Sequence, residues 1–188
     1  ASVTISSRRN ESDMPLISTA RAGNIIGGGD WAEDRLVPDL VRAIMNKKTL
    51  KVRCPESIRS WQHVLESLSG YLMLGEKMLD GQHEYASAWN FGPNQKANLT
   101  VLQVLNGLAE YWPSVSWEII NESRLHEAGT LILDNSKASD ILKWNPVLNY
   151  KQALMMTADW YNEYLTSGNV ISKQQIFQYS KKLTDIKK

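Results

Sequence analysis

Residues 16–22 read Leu-Ile-Ser-Thr-Ala-Arg-Ala, and residues 23–31 continue Gly-Asn-Ile-Ile-Gly-Gly-Gly-Asp-Trp. The first run follows Pro15 and is short and mostly apolar, which predicts a strand. Four glycines between Gly23 and Gly29 predict a tight loop. Asp34 is placed to cap a helix over about 35–47, with Pro38 in its first turn, where a missing N–H is tolerated. Strand, glycine turn and helix in that order point to an α/β fold, in which ligands sit at the carboxyl ends of strands. Glycines let backbone approach a ligand, the helix amino end favours an anion, and Asn24 at the strand tip offers both a donor and an acceptor.

The alternation continues outward from that stretch. Strands are expected at 49–53, 60–64, 88–91, 116–120 and 130–133. Val64, Leu65, Leu68, Tyr71, Leu72, Gly75, Met78 and Leu79 trace a helical stripe, with Gly81 just past its end. Thr100 caps a helix running to about Trp112. A short helix over 136–143 stops before Pro146, and a long amphipathic one over 150–165 ends near Gly168. Residues 1–10 read as the end of a helix. The lysines at 181, 182, 187 and 188 read as a solvated tail.

With 188 residues, 43% of them hydrophobic and 22% charged, the chain can bury a core without staples. A formal net charge of +1 argues against an electrostatically driven nucleic-acid binder. No apolar run reaches membrane-span length, and the first residues lack a secretory pattern. Cys54 is the one cysteine, so no internal disulfide forms, which fits a cytoplasmic setting. His63, His83 and His126 lack metal-ligand spacing. Asp30, Glu33 and Asp34 read as loop carboxylates that bond backbone and cap. Most of the seven tryptophans are expected in the core. No Gly-x-Gly-x-x-Gly, phosphate-loop or Gly-x-Ser-x-Gly signature occurs. An arginine heading a strand, as Arg59 does, can clamp phosphate bidentately.

Four blocks together carry a resemblance: ARAGNIIGGGDWAEDRLVPDLVRAI (20–44), SIRSWQHVLESLSGYLML (57–74), WNFGPN (89–94) and HEAGTLILDNSKA (126–138). In order and spacing they resemble the extended short-chain dehydrogenase/reductases, and among these the CDP-glucose 4,6-dehydratases. The Trp-Gln-His-Val run and Gly-Gly-Gly-Asp-Trp favour that branch over its dTDP-glucose, GDP-mannose and UDP-glucose relatives.

The resemblance implies an α/β fold, the C-terminal part of such an enzyme. Residues 1–30 would be the tail end of an NAD-binding Rossmann domain. Residues 31–188 would be the nucleotide-sugar region, interleaved with a returning Rossmann strand and helix. The implied reaction is an internal redox dehydration: hydride leaves sugar C4 for NAD, water is lost across C5 and C6, and hydride returns to C6. The product would be a 4-keto-6-deoxy sugar nucleotide for surface polysaccharide.

By the same resemblance Asn24, Arg35, Leu36, Arg59, Asn90 and Arg124 bind the sugar nucleotide, while Arg21 and Ala22 pass near the nicotinamide. No catalytic residue and no metal ligand is assigned. The segments Ser7-Arg8-Arg9-Asn10-Glu11-Ser12 and Gly129-Thr130 depart from the family pattern. The dinucleotide fingerprint and the Tyr-x-x-x-Lys dyad of the family lie upstream of the matched region. The chain alone is therefore expected to be inactive, with NAD held mainly by an amino-terminal half. It is expected to form a homo-oligomer or to associate with that half, and to engage neither nucleic acid nor membrane. A 4-epimerase of the same superfamily and a non-catalytic truncated remnant are the alternatives.

Overall fold

The computed structural model describes residues 2–7, 14–94, 98–120 and 129–186. The strands are β1 (Ser2–Ser7), β2 (Leu16–Ala22), β3 (Asn24–Ile26), β4 (Leu50–Val52), β5 (Ile58–His63), β6 (Ala88–Phe91), β7 (Asn98–Thr100), β8 (Trp117–Ile119) and β9 (Thr130–Leu131). The helices are α1 (Leu36–Met45), α2 (Val64–Leu79), α3 (Val101–Ala109), α4 (Ser136–Asp140), α5 (Tyr150–Ser167) and α6 (Ser172–Ile186).

β2 alternates as a half-buried strand should. Ser18, Ala20 and Ala22 point inward, while Ile17, Thr19 and Arg21 face out. It pairs antiparallel with β1 and parallel with β6. Trp89 and Phe91 of β6 join Ala20, Leu74, Met78, Leu142 and Trp144 in one core. Within α2, Gly70 gives the Phe91 ring its place, since a Cβ there would overlap it.

β5 is buried from Arg59 to His63 on both faces, and it is the hub of a second sheet. Its second half pairs parallel with β3; its first half pairs antiparallel with β7 and parallel with β9. β4 and β8 form a separate parallel pair. The larger core gathers α1, α3 and α5 around these strands, with Leu40, Val41, Leu105, Leu108, Leu154 and Trp160 inside. Capping boxes set the starts of α3 (Thr100 with Gln103) and α5 (Asn149 with Gln152). Gly168, at φ 76°, ends α5 in the left-handed conformation.

Four expectations are corrected. Residues 2–7 are a strand paired with β2, not a helix end. The helical reading missed that Val3 and Ile5 alternate with Ser and Thr, the period of a strand. Within the glycine stretch, Asn24–Ile26 pairs with β5, so Gly23 and Gly27–Gly29 bracket a strand. Asp34 lies at φ 57° and the N-cap of α1 is Arg35, with no side-chain cap bond. Lys181 and Lys182 are exposed as expected but lie on α6 rather than in a tail, and that helix buries Gln175 and Tyr179; Lys187 and Lys188 fall outside the described residues.

Candidate functional site

A cleft of about 730 Å³ opens where β3, the glycine turn, the start of α1, β4 and the start of β5 converge. Asn24 enters it from the first position of β3, held in register opposite Trp61. Arg59, only 7% exposed, enters from β5 and donates to the carbonyls of Ile58 (2.9 Å) and Gly129 (3.4 Å). Arg35 and Leu36 contribute the first turn of α1. Arg35 Nη1 pairs with Asp30 Oδ2 at 3.0 Å, an ion pair open to solvent. The cleft thus brings together four of the sequence-predicted residues: Asn24, Arg35, Leu36 and Arg59.

The others lie elsewhere. Asn90 is on β6 and does not line the cleft; its Nδ2 donates to the Asp134 carbonyl at 3.1 Å. Asn90 Oδ1 is buried with no hydrogen-bond partner among the described residues. Arg21 faces out of β2 opposite Asn90, and Ala22 is buried beside Phe91. Arg124 and His126 fall outside the described residues.

Lys51 and Arg53 also line the cleft, and sequence reasoning passed over both. They are exposed and alternate with buried Leu50 and Val52. That period-two pattern was the available signal. Neither pairs with a carboxylate among the described residues. Asp30 and Asp39 are neutralised by Arg35 and Arg42 respectively. The wall formed by β4 and β5 is therefore rich in cations that can meet an anionic ligand.

Two features hold the glycine turn. Gly28 lies against the Trp160 ring so closely that a Cβ there would overlap it. The Tyr161 hydroxyl accepts from Asp30 N–H (3.1 Å) and donates to the Asp30 carbonyl (2.7 Å). Burial pushes the Tyr161 phenol up to about 12, so it remains a donor.

Beneath the cleft, His63 caps α2 through Nδ1, which accepts from Leu65 N–H. Burial drives its imidazole down to about 4, so the ring is neutral and Nε2 carries the proton. Among the described residues no group of acidic, histidine or cysteine side chains could hold a metal ion.

The glycine turn does not fit a dinucleotide pyrophosphate. Asp30 and Asp34 stand between it and α1, which begins only at Leu36, so no helix amino end meets the glycines directly. These residues do not by themselves form an NAD site.

No family model matches this chain. It is 37% identical over 166 residues to the CDP-glucose 4,6-dehydratase of Salmonella typhimurium, covering 87% of this chain and 46% of that protein. The chain spans about half the length of that relative. Among solved structures, UDP-glucose 4-epimerase from Thermotoga maritima with UDP-glucose matches with TM-score 0.64 and 19% identity, covering 79% of this chain and 46% of that one. The dTDP-glucose 4,6-dehydratase from Bacillus anthracis in complex with NAD matches with TM-score 0.62 and 19% identity, covering 77% and 44%. At those identities the solved structures speak for the fold, and the sequence likeness runs to the dehydratase. The chain thus has the α/β fold of the C-terminal part of an extended short-chain dehydrogenase/reductase of the nucleotide-sugar dehydratase and epimerase kind, and in sequence it resembles CDP-glucose 4,6-dehydratase.

Proposed function

We propose that this chain is the nucleotide-sugar-binding part of an NAD-dependent 4,6-dehydratase whose substrate is CDP-glucose. The observation that carries this reading is the 37% identity to a CDP-glucose 4,6-dehydratase sustained over 87% of the chain. The cleft supports it, because Asn24, Arg35 and Arg59 converge there with Lys51 and Arg53. An amide and several cations on one wall suit a diphosphate flanked by polar rings. In this reading the chain grips and orients the substrate, and the redox work belongs to NAD held by residues outside it. Arg21 and Ala22 would lie towards that cofactor, and Asn90 and Arg124 would complete the nucleotide site. The enzyme would act in the cytoplasm, in the making of deoxysugars.

The test is calorimetric titration of the chain with CDP-glucose, UDP-glucose and dTDP-glucose at low salt. CDP-glucose is expected to bind tightest. Preference for UDP-glucose would overturn the substrate, and absence of heat with all three would overturn the reading. Arg59→Ala is expected to weaken CDP-glucose by about 1.5–3 kcal/mol, the value of a hydrogen bond to a charged group.

A further inference from the structure

The rim of the cleft between β3 and α1 is a run of glycines followed by Asp30, Trp31 and Ala32. Glycines bring no side chains to hold such a segment and lose the most freedom on ordering. The hold comes from α5, 131 positions along the chain. One hydroxyl, that of Tyr161, satisfies both the N–H and the C=O of Asp30, at 3.1 and 2.7 Å. The carboxylate of that same residue then takes two partners, Ala32 N–H at 3.0 Å and Arg35 Nη1 at 3.0 Å.

Tyr161 itself cannot shift. It is wholly buried. Its ring stacks on Trp112, and Trp160 and Trp31 meet it edge-on at 5.1 and 5.6 Å. On the far side of the turn, Arg42 donates to the carbonyls of Trp31 and Ala32, each at 3.0 Å. The aromatic cluster thus meets the rim of the cleft in two ways, through the Trp160 ring against Gly28 and through the Tyr161 hydroxyl on Asp30.

We infer that Tyr161 is a positioning residue for the cleft: its hydroxyl fixes the Asp30 backbone, and through the Asp30 carboxylate it holds the Arg35 guanidinium, at the start of α1, where an anionic ligand is met. This rests on the reading of the cleft as a nucleotide-sugar site. Without the hydroxyl, the Asp30 N–H and C=O would both turn to water, the turn would open more often, and Arg35 would be presented less of the time.

Tyr161→Phe removes the hydroxyl and keeps the ring. Tyr164→Phe is the control, because Tyr164 stacks on Trp160 and faces Trp31 but its hydroxyl makes no hydrogen bond among the described residues. Two measurements decide the matter. In hydrogen exchange, Tyr161→Phe is expected to speed exchange of residues 27–34 by about five- to a hundredfold, the equivalent of two ordinary hydrogen bonds, and to leave α3 and α5 unchanged. In calorimetry with CDP-glucose, Tyr161→Phe is expected to weaken affinity by a similar factor. The double variant Tyr161→Phe/Arg35→Ala should then be no weaker than Arg35→Ala alone, because the two act in series. Tyr164→Phe should match the unsubstituted chain in both.

Losses that multiply in the double variant would overturn the inference, as would unchanged exchange at 27–34. If the unsubstituted chain takes up no CDP-glucose, the functional reading falls. The exchange result then decides the clamp on its own: acceleration confined to 27–34 sustains it, and none refutes it.

Discussion

A methyl group at residue 28 would occupy the space of the Trp160 indole, which is pinned by its Nε1 donating to Ser172 Oγ at 2.8 Å. Gly28→Ala is therefore expected to cost about 1–3 kcal/mol in urea unfolding, the usual cost of overpacking. His63 supplies a pH dependence. Its folded pKa is lowered from 6.5 to about 4 by burial, so the unfolded chain binds the proton more readily. The associated stability is fully present above pH 6.5 and is lost as pH falls towards 4, by up to about 3 kcal/mol. Glu66 works with the opposite sign. Burial raises its carboxyl above the ordinary value, so its contribution is lost as pH rises through that raised pKa. Unfolding midpoints measured from pH 7 to pH 4 should fall, and His63→Gln should flatten the fall. At this scale Asn24 and Arg59 were legible as cleft residues from local signals, a strand tip beside glycines and a strand head, whereas Arg35 and Leu36 were reached only through the family resemblance. Tyr161 was not legible: nothing near it in the chain says that its hydroxyl meets a backbone 131 residues away.

Among elements, β2, α2 and α5 match their expected ranges almost to the residue, marked by an apolar run after Pro15, a 3.6-residue stripe and a closing glycine. The face of α2 differs: Glu66, Ser67, Gly70, Leu74 and Met78 are buried, while Leu68, Leu72 and Leu79 of the stripe are exposed. α6 escaped because its apolar face is narrow and its lysines dominate the eye. What secures it is long-range. Tyr179 donates to the buried Glu66 carboxylate (2.8 Å) and lies 3.0 Å from Ser69 Oγ, while Gln175 Nε2 donates to the Met156 carbonyl (2.6 Å). Glu66 Oε1 also accepts from the backbone N–H groups of Val147 and Leu148. Tyr179→Phe leaves one carboxylate oxygen short of a donor. It is expected to cost about 1–3 kcal/mol and to raise amide exchange in α6 above that in α5. β1 escaped because its only strand signal is the short alternation of Val3 and Ile5 with Ser and Thr, which the helical reading passed over.

Across the whole molecule, the smaller core of β2, β6 and α2 adjoins β5, where Gln62 Nε2 donates to the Phe91 carbonyl (2.7 Å). Within that smaller core Asn135 Nδ2 donates to the Gly92 carbonyl (2.9 Å). The outward face of β2 leaves Ile17 uncovered, and α2 leaves Leu68, Leu72 and Leu79 uncovered along one stripe. Such apolar surface favours association. Light scattering on the purified chain is expected to give a mass above that of one copy, and a monodisperse 21.3 kDa species would count against this. The α/β class was legible because it needs only the order of elements, whereas the sharing of β5 by three partner strands depends on pairings that no local pattern encodes. Indole placement has an optical consequence. Trp61, Trp89, Trp112, Trp144 and Trp160 are buried and Trp117 is half-buried, leaving Trp31, 40% exposed, as the most solvent-facing fluorophore. Long-wavelength emission quenched by acrylamide will therefore come chiefly from the rim of the cleft, which gives the turn a built-in reporter that needs no attached dye.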